Sequence, residues 1–246
     1  MPAPLIRPLF TAQFVHGQDG MGDIGLPLTD RQPAAGHAVS VLIETIHHFV
    51  GNITLVTLGP LTNIASALRQ DPLIAKAVKE CVIMGGTGQG HGNITPVGEY
   101  NFWADPEAAK IVFESGMHLE MVGWDISRTY AMFNPQDTAK LRGIGTPLAT
   151  FCVDIQATLT QFAITQSKLP GFDLPDAIAT SIALQPEVAI ETRSLFVAIE
   201  TQCEQCRGQS IVDHFAVLGQ KPNAEVVLKA SREKFYDMLC NAVRMS

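Results

Sequence analysis

The stretch from Met84 to Trp103 reads Met-Gly-Gly-Thr-Gly-Gln-Gly-His-Gly-Asn-Ile-Thr-Pro-Val-Gly-Glu-Tyr-Asn-Phe-Trp. Glu99 and Asn101 lie two apart, so an extended backbone points both the same way. They could then hold neighbouring hydroxyls of a sugar, with Asn93 joining them. The alternative is that they only satisfy loop backbone, for which Asn, Glu and Gly are ordinary residues. A phosphate cradle is disfavoured: no Lys-Ser/Thr follows the glycines, and their spacing fits neither nucleotide fingerprint. His16 stands in the glycine-punctuated Phe-Val-His-Gly-Gln-Asp-Gly-Met-Gly, where an imidazole could move a proton near neutral pH or simply face solvent. Asp176 heads the apolar run Asp-Ala-Ile-Ala-Thr-Ser-Ile-Ala-Leu, so its carboxylate is either a site group or a helix N-cap worth roughly 1 kcal/mol. Asp125 is read as a turn former. Cys203 and Cys206 form one Cys-x-x-Cys; a four-ligand metal site needs two more Cys or His, so the pair is read as part of a strand connection rather than a zinc or redox centre. His47 and His48 fall on an amphipathic helix and are assigned no chemistry.

These residues need elements to position them. Val39, Leu42, Ile43, Ile46 and Val50 recur at helical spacing, and Ile53 to Leu58 is the continuous, β-branched run of a strand covered on both faces. Leu61 to Leu68 marks a helix, and Cys81 to Met84 a second buried strand closed by Gly85 and Gly86. Asp105, Pro106 and Glu107 give a cap, a first-turn proline and an early acid, and Gly116 the left-handed stop. Leu119 to Gly123 is the next strand, and Asn134-Pro135 opens another helix. One long helix is predicted beyond Thr146, through Phe162, then a helix from Asp176 to Leu184. Short strands follow at 195–201, 210–212 and 226–228, and a last helix starts at Ser231. Alternating strands and helices imply a mostly parallel sheet flanked by helices, an α/β fold with a Rossmann-like core, in one domain over 1–246. Ligands of such sheets bind beyond the carboxyl ends of the strands, after Leu58, Met84 and Gly123.

Composition narrows the partners. With 17 basic and 24 acidic side chains the net charge is −7, which opposes nucleic acid binding. No stretch reaches the roughly 20 apolar residues of a membrane span, and Met1 to Val15 lacks the pattern of a signal peptide. Five scattered cysteines suit a reducing compartment. The expectation is an unexported, cytoplasmic protein whose partner is a small molecule.

Taken together, the motifs resemble those of the inosine-uridine preferring nucleoside hydrolases, which cleave the N-glycosidic bond of ribonucleosides with a bound calcium ion. The resemblance is carried by Pro4 to Gly22, Leu55-Val-Thr-Leu-Gly-Pro-Leu-Thr-Asn63, Ile83-Met-Gly-Gly86, Gly92-Asn93, Glu99-Tyr-Asn101, Asp105-Pro-Glu-Ala-Ala109 and Asp176 to Pro186. It implies that Met84, Asn93, Glu99 and Asn101 hold the ribose, that Tyr100 lies near the base, and that His16 faces the base pocket. It also implies calcium ligation by the Asp176 carboxylate and the Leu58 backbone carbonyl, a role in purine or pyrimidine salvage, and a homodimer or homotetramer.

Two departures accompany the resemblance. The family opens with a strand ending in Asp-Thr-Asp-Pro-Gly-x-Asp-Asp, which supplies two more calcium carboxylates, one of them the general base for water; no such motif occurs in this sequence. The expectation is a domain without the usual first strand, N-terminally incomplete by about 60–70 residues, that binds calcium poorly and turns over negligibly as it stands. The alternative is a non-catalytic, nucleoside-binding remnant. Pro175 also stands where the best-known members carry the histidine that protonates the leaving base, which leaves that task to His16, Tyr100 or a water.

Overall fold

A computed structural model describes residues 3–27 and 32–245; Met1, Pro2 and Ser246 of the single domain expected over 1–246 lie outside them. The β-branched run yields the strand Thr54–Thr57, which pairs in parallel with Glu80–Met84; that strand pairs in parallel with Leu119–Val122, and the last with Ala224–Ala230. Side chains alternate across the sheet as the pleat requires. Cys81 and Ile83 enter a core beneath the helices Ala38–His48, Thr62–Gln70 and Pro106–Phe113. Val82 and Met84 enter the opposite core, under Pro147–Asp154, Pro175–Leu184 and Arg232–Arg244. The expected layering, a mostly parallel sheet between helices, is therefore present. Thr54–Thr57 lies at one edge, and the Leu58 side chain just beyond it is 41% exposed.

The local signals act through their chemistry. Asp105 is fully buried: its Oδ1 accepts from the Ala108 N–H at 3.1 Å as the cap of helix Pro106–Phe113, and its Oδ2 accepts from the Thr62 hydroxyl at 2.7 Å and the Leu5 N–H at 2.9 Å. One carboxylate thus satisfies a helix end and ties the N-terminal segment to the preceding helix. Arg7 pairs with Glu107 at 2.7 Å beside it. Asn134 and Asp137 close a capping box, and Gly116 has φ 75°.

Two expectations are corrected, and one strand is added that the sequence reading did not include. The long helix beyond Thr146 is two, Pro147–Asp154 and Ala157–Thr165, broken at Ile155 and Gln156. Gly22, at φ +77°, presses on the Ile155 carbonyl where a Cβ would lie only 2.5 Å away, and Thr158 donates to the Gly22 carbonyl at 3.2 Å. The N-terminal segment therefore docks where the helix breaks. A further strand, Ala189–Leu195, pairs antiparallel with Ala224–Ala230. Its Glu191, Arg193 and Ser194 face solvent on the sheet edge, so it carries no apolar run to read. The segment expected as one strand over 195–201 instead ends that edge strand at Leu195 and contributes Val197–Ile199 to a separate antiparallel pair with Ser210–Val212.

Candidate functional site

The parallel strands end at Thr57 and Met84, and their register, Thr57 opposite Ile83, sets Leu58 level with Met84. Beyond Met84 the chain turns sharply at Gly85 and Gly86 and begins the glycine-rich loop. Gly86 has φ +64°, and a Cβ there would fall 2.6 Å from the Phe102 ring and 2.8 Å from the Ser210 hydroxyl, so only glycine fits.

Glu99 is the centre of this arrangement. It is 2% exposed, and its carboxylate accepts from the N–H groups of Gly86 at 2.9 Å, Asn101 at 2.8 Å and Phe102 at 3.3 Å. This corrects the reading of an extended stretch: Asn101 lies in the short helix Tyr100–Ala104, and Glu99 is its N-cap. The two residues are still joined, through the Asn101 N–H. Asn101 donates through its amide nitrogen to the Met84 carbonyl at 3.2 Å and to the Met84 sulfur at 3.1 Å, which fixes Glu99, Asn101 and Met84 as one buried unit. Asn93 reaches the same helix start, its Oδ1 accepting from the Tyr100 N–H at 2.8 Å.

The loop glycines offer no anion nest. The N–H groups of Gly88 and Gln89 are held by the Asp125 carboxylate at 2.8 and 3.1 Å, and the Ser210 hydroxyl both takes the Thr87 N–H and donates to the Thr87 carbonyl. Asp125 is thus the anchor of the loop.

Asp176 occupies the first turn of Pro175–Leu184, whose N-cap is Leu174, with Pro175 at the first helical position. Its carboxylate makes no capping bond, so that alternative role is not taken up. The helix packs on both Thr54–Thr57 and Glu80–Met84. Asp176 is surrounded by protein yet open to solvent on its own surface, as a carboxylate lining a concavity would be. Burial raises it to about 6; burial raises Glu99 to about 7 against the pull of its three N–H donors, with the Asp176 charge adding to the rise. The two carboxylates therefore feel each other, and Glu99, Asn101, Met84 and Asp176 share one region at the strand ends.

His16 ends the short helix Gln13–His16, and burial lowers its pKa. Its segment crosses the helix Tyr100–Ala104: the Tyr100 hydroxyl donates to the Phe10 carbonyl at 2.8 Å, and the Phe10 ring meets Trp103 edge-on at 5.2 Å. Phe14 then bridges Phe10 and Phe162 at 6.0 and 5.6 Å, an aromatic row that sequence reading did not single out. Also unread was Asp173, buried and bonded to the Ser127 hydroxyl, with Trp124 as a further partner. The Trp124 N–H in turn reaches the Gly86 carbonyl at 2.9 Å, so this network links the approach to Asp176 with the glycine loop. A groove of about 520 Å³ beside Ile24, Thr146, Phe151 and Asp154 lies away from these groups, and its one carboxylate is already paired with Arg142.

A pH dependence follows. The carboxylates of Glu99 and Asp176 titrate near 4.5 and 3.8 in an unfolded chain and near 7 and 6 in the fold. Their contribution to stability is fully present below the unfolded values and is lost as pH rises through the folded ones. The urea midpoint of chelator-treated protein is therefore expected to fall between about pH 5 and about pH 8, and a divalent cation should restore it at the higher pH. A midpoint that rises over this window, or ignores the cation, would contradict the raised carboxylates.

Known proteins resemble this chain in sequence and fold. The family model described as inosine-uridine preferring nucleoside hydrolase matches residues 1–237. A pyrimidine-specific ribonucleoside hydrolase RihB of Escherichia coli O17:K52:H18 (strain UMN026 / ExPEC) is 35% identical over 245 residues, which are 99% of this chain and 77% of the relative. Among solved structures, a plant nucleoside hydrolase, the PpNRh1 enzyme, superposes with a TM-score of 0.90 at 27% identity, covering 96% of this chain and 76% of the other. A purine-preferring ribonucleoside hydrolase from Gardnerella vaginalis gives 0.88 at 25% identity, covering 100% and 80%. No helix among the described residues is long and apolar enough to cross a membrane. With a family model spanning nearly all of it and ribonucleoside hydrolases as its relatives in sequence and fold, the chain belongs to the inosine-uridine preferring nucleoside hydrolase family.

Proposed function

We propose that this chain binds a ribonucleoside at the strand ends and takes part in hydrolysis of its N-glycosidic bond, with calcium held by the Asp176 carboxylate and the Leu58 carbonyl. The observation that carries the reading is the pair of Glu99, buried, and Asp176, largely surrounded by protein but open to solvent, with the Asp176 charge reaching Glu99 and no cationic side chain hydrogen-bonded to either. Such a pair suits a hard cation and a sugar diol. Among the described residues no three His, Cys, Asp or Glu side chains converge, so carbonyls, water and the sugar would complete the sphere. When bound, the ion would acidify water and anchor sugar hydroxyls.

The chain's own residues do the rest. Glu99, preset by three N–H donors, offers its remaining acceptor capacity to a ribose hydroxyl, and Asn101, clamped to Met84, cannot rotate away. Asn93 lies at the start of the same helix for a further sugar contact. His16, kept neutral near pH 7 by burial, hydrogen-bonds the base rather than standing ready as a charged donor. Tyr100, its hydroxyl engaged with Phe10, presents its ring to the base. Pro175 donates no proton and serves to start the helix that aims Asp176.

In a full-length, active form, Glu99→Ala is expected to lower kcat/KM for a ribonucleoside by roughly 2 to 4 kcal/mol, since a charge-assisted hydrogen bond to the sugar is lost in a buried site. A 2′-deoxynucleoside comparison isolates the sugar contact. Parent-like efficiency in Glu99→Ala would remove Glu99 from the ribose site.

A further inference from the structure

The turn between Val197–Ile199 and Ser210–Val212 carries Cys203 and Cys206 and has no part in the site above. It is tightly ordered. The Glu200 N–H donates to the Gln209 carbonyl at 3.0 Å across it, the Gln209 N–H reaches the Cys206 carbonyl and the Gly208 N–H the Glu200 carbonyl, both at 2.9 Å, and the Glu200 carboxylate accepts from the Cys203 N–H at 3.0 Å. Within this frame the Cys206 N–H donates to the Cys203 sulfur at 3.3 Å. The Cys206 thiol shares its hydrogen with the same sulfur, and that contact raises its pKa. Both side chains are half-buried, so a small molecule can reach them; Cys152 is half-buried too but stands apart in sequence, whereas Cys81 and Cys240 are buried.

We propose that Cys203 and Cys206 form a thiol–disulfide exchange site whose reaction partner is a low-molecular-weight disulfide such as oxidised glutathione. Two cysteines three residues apart on a pinned turn, with the Cys203 sulfur already held by the Cys206 N–H, need little backbone movement to bond, and their proximity favours ring closure over a second intermolecular attack. Cys203, whose sulfur takes the backbone N–H of Cys206, loses its proton to water and attacks one sulfur of the incoming disulfide. One glutathione leaves as its thiol, and the other stays bonded to Cys203. Cys206 then loses its proton to water and attacks the Cys203 sulfur, expelling the second glutathione thiolate, which water reprotonates. Two protein thiols are oxidised to one disulfide, and one small disulfide is reduced to two thiols. No third metal-ligating side chain joins the pair among the described residues, which separates this chemistry from a zinc centre.

The test is mass spectrometry of the folded protein after incubation with mixtures of reduced and oxidised glutathione. In a C152S background, where no other half-buried thiol remains, the protein should lose the mass of two hydrogens without gaining glutathione, and peptide mapping should join Cys203 to Cys206. C206S should trap a glutathione adduct on Cys203 at least about tenfold more than C203S traps one on Cys206. A C152S chain that keeps both thiols free, or carries a stable adduct, at a ratio that modifies C206S would overturn the site. Equal or reversed trapping would overturn the assignment of Cys203 as the attacking sulfur. The readout is independent of nucleoside hydrolysis, so its failure leaves the proposed function standing.

Discussion

In a full-length, active form, Asp176→Asn is expected to lower kcat/KM for ribonucleoside hydrolysis by about 10³-fold or more, the equivalent of the several kcal/mol a metal ion contributes to a transition state. Calcium affinity measured by calorimetry should fall at least about tenfold, because a hard, doubly charged cation prefers an anionic oxygen to a neutral amide. The substitution preserves shape and breaks no capping bond, since the Asp176 side chain makes none. The cation-free fold should therefore be as stable as the parent or more so: the Asp176 charge helps hold Glu99 above its ordinary value, and removing it relieves that repulsion. Loss of calcium binding with retained or increased stability is a pattern that general misfolding cannot produce. Unchanged calcium affinity in Asp176→Asn would show that the ion, if bound, sits elsewhere.

Phe102→Ala should cost about 3 to 5 kcal/mol of stability, the usual range for deleting a large buried aromatic ring. The ring is completely buried, meets Phe113 edge-on at 5.6 Å and fills the space beneath Gly85 and Gly86, where added Cβ atoms would come within 2.3 and 2.6 Å of it. Against a total of about 5 to 15 kcal/mol for a folded domain, that is a substantial share, and the melting temperature should drop on the order of 10 °C. The effect should reach the site too. Phe102 follows Asn101 in the helix capped by Glu99, and its ring supports the turn whose Gly86 N–H holds the Glu99 carboxylate. Phe102→Leu should recover much of the stability by refilling most of the volume. Chemical denaturation would decide the matter; an Ala variant within about 1 kcal/mol of the parent would mean that the turn does not depend on the ring.

Much of the scaffold was legible because its signals are local. A β-branched run bounded by Gly59, a proline behind Asp105 and a Ser231 cap each bias a few neighbouring residues, and repeated alternation of such segments leaves few topologies besides a parallel sheet between helices. The glycine loop and its polar residues were visible as a candidate site for the same reason: the ends of parallel strands are where such chemistry collects. What the fold alone decided is non-local. That Glu99 caps a helix while clamping Gly86, that Ser127 meets Asp173, and that Gly22 breaks a helix at Ile155 all depend on segments far apart in sequence coming together. The solvent-facing edge strand Ala189–Leu195 lacks an apolar pattern because its hydrogen bonds to Ala224–Ala230, rather than burial, hold it. Residue types showed that Glu99 and Asp176 could carry charge. The burial that raises both, and the Asp176 charge that adds to the rise of Glu99, arise only when the sheet brings two distant carboxylates near each other.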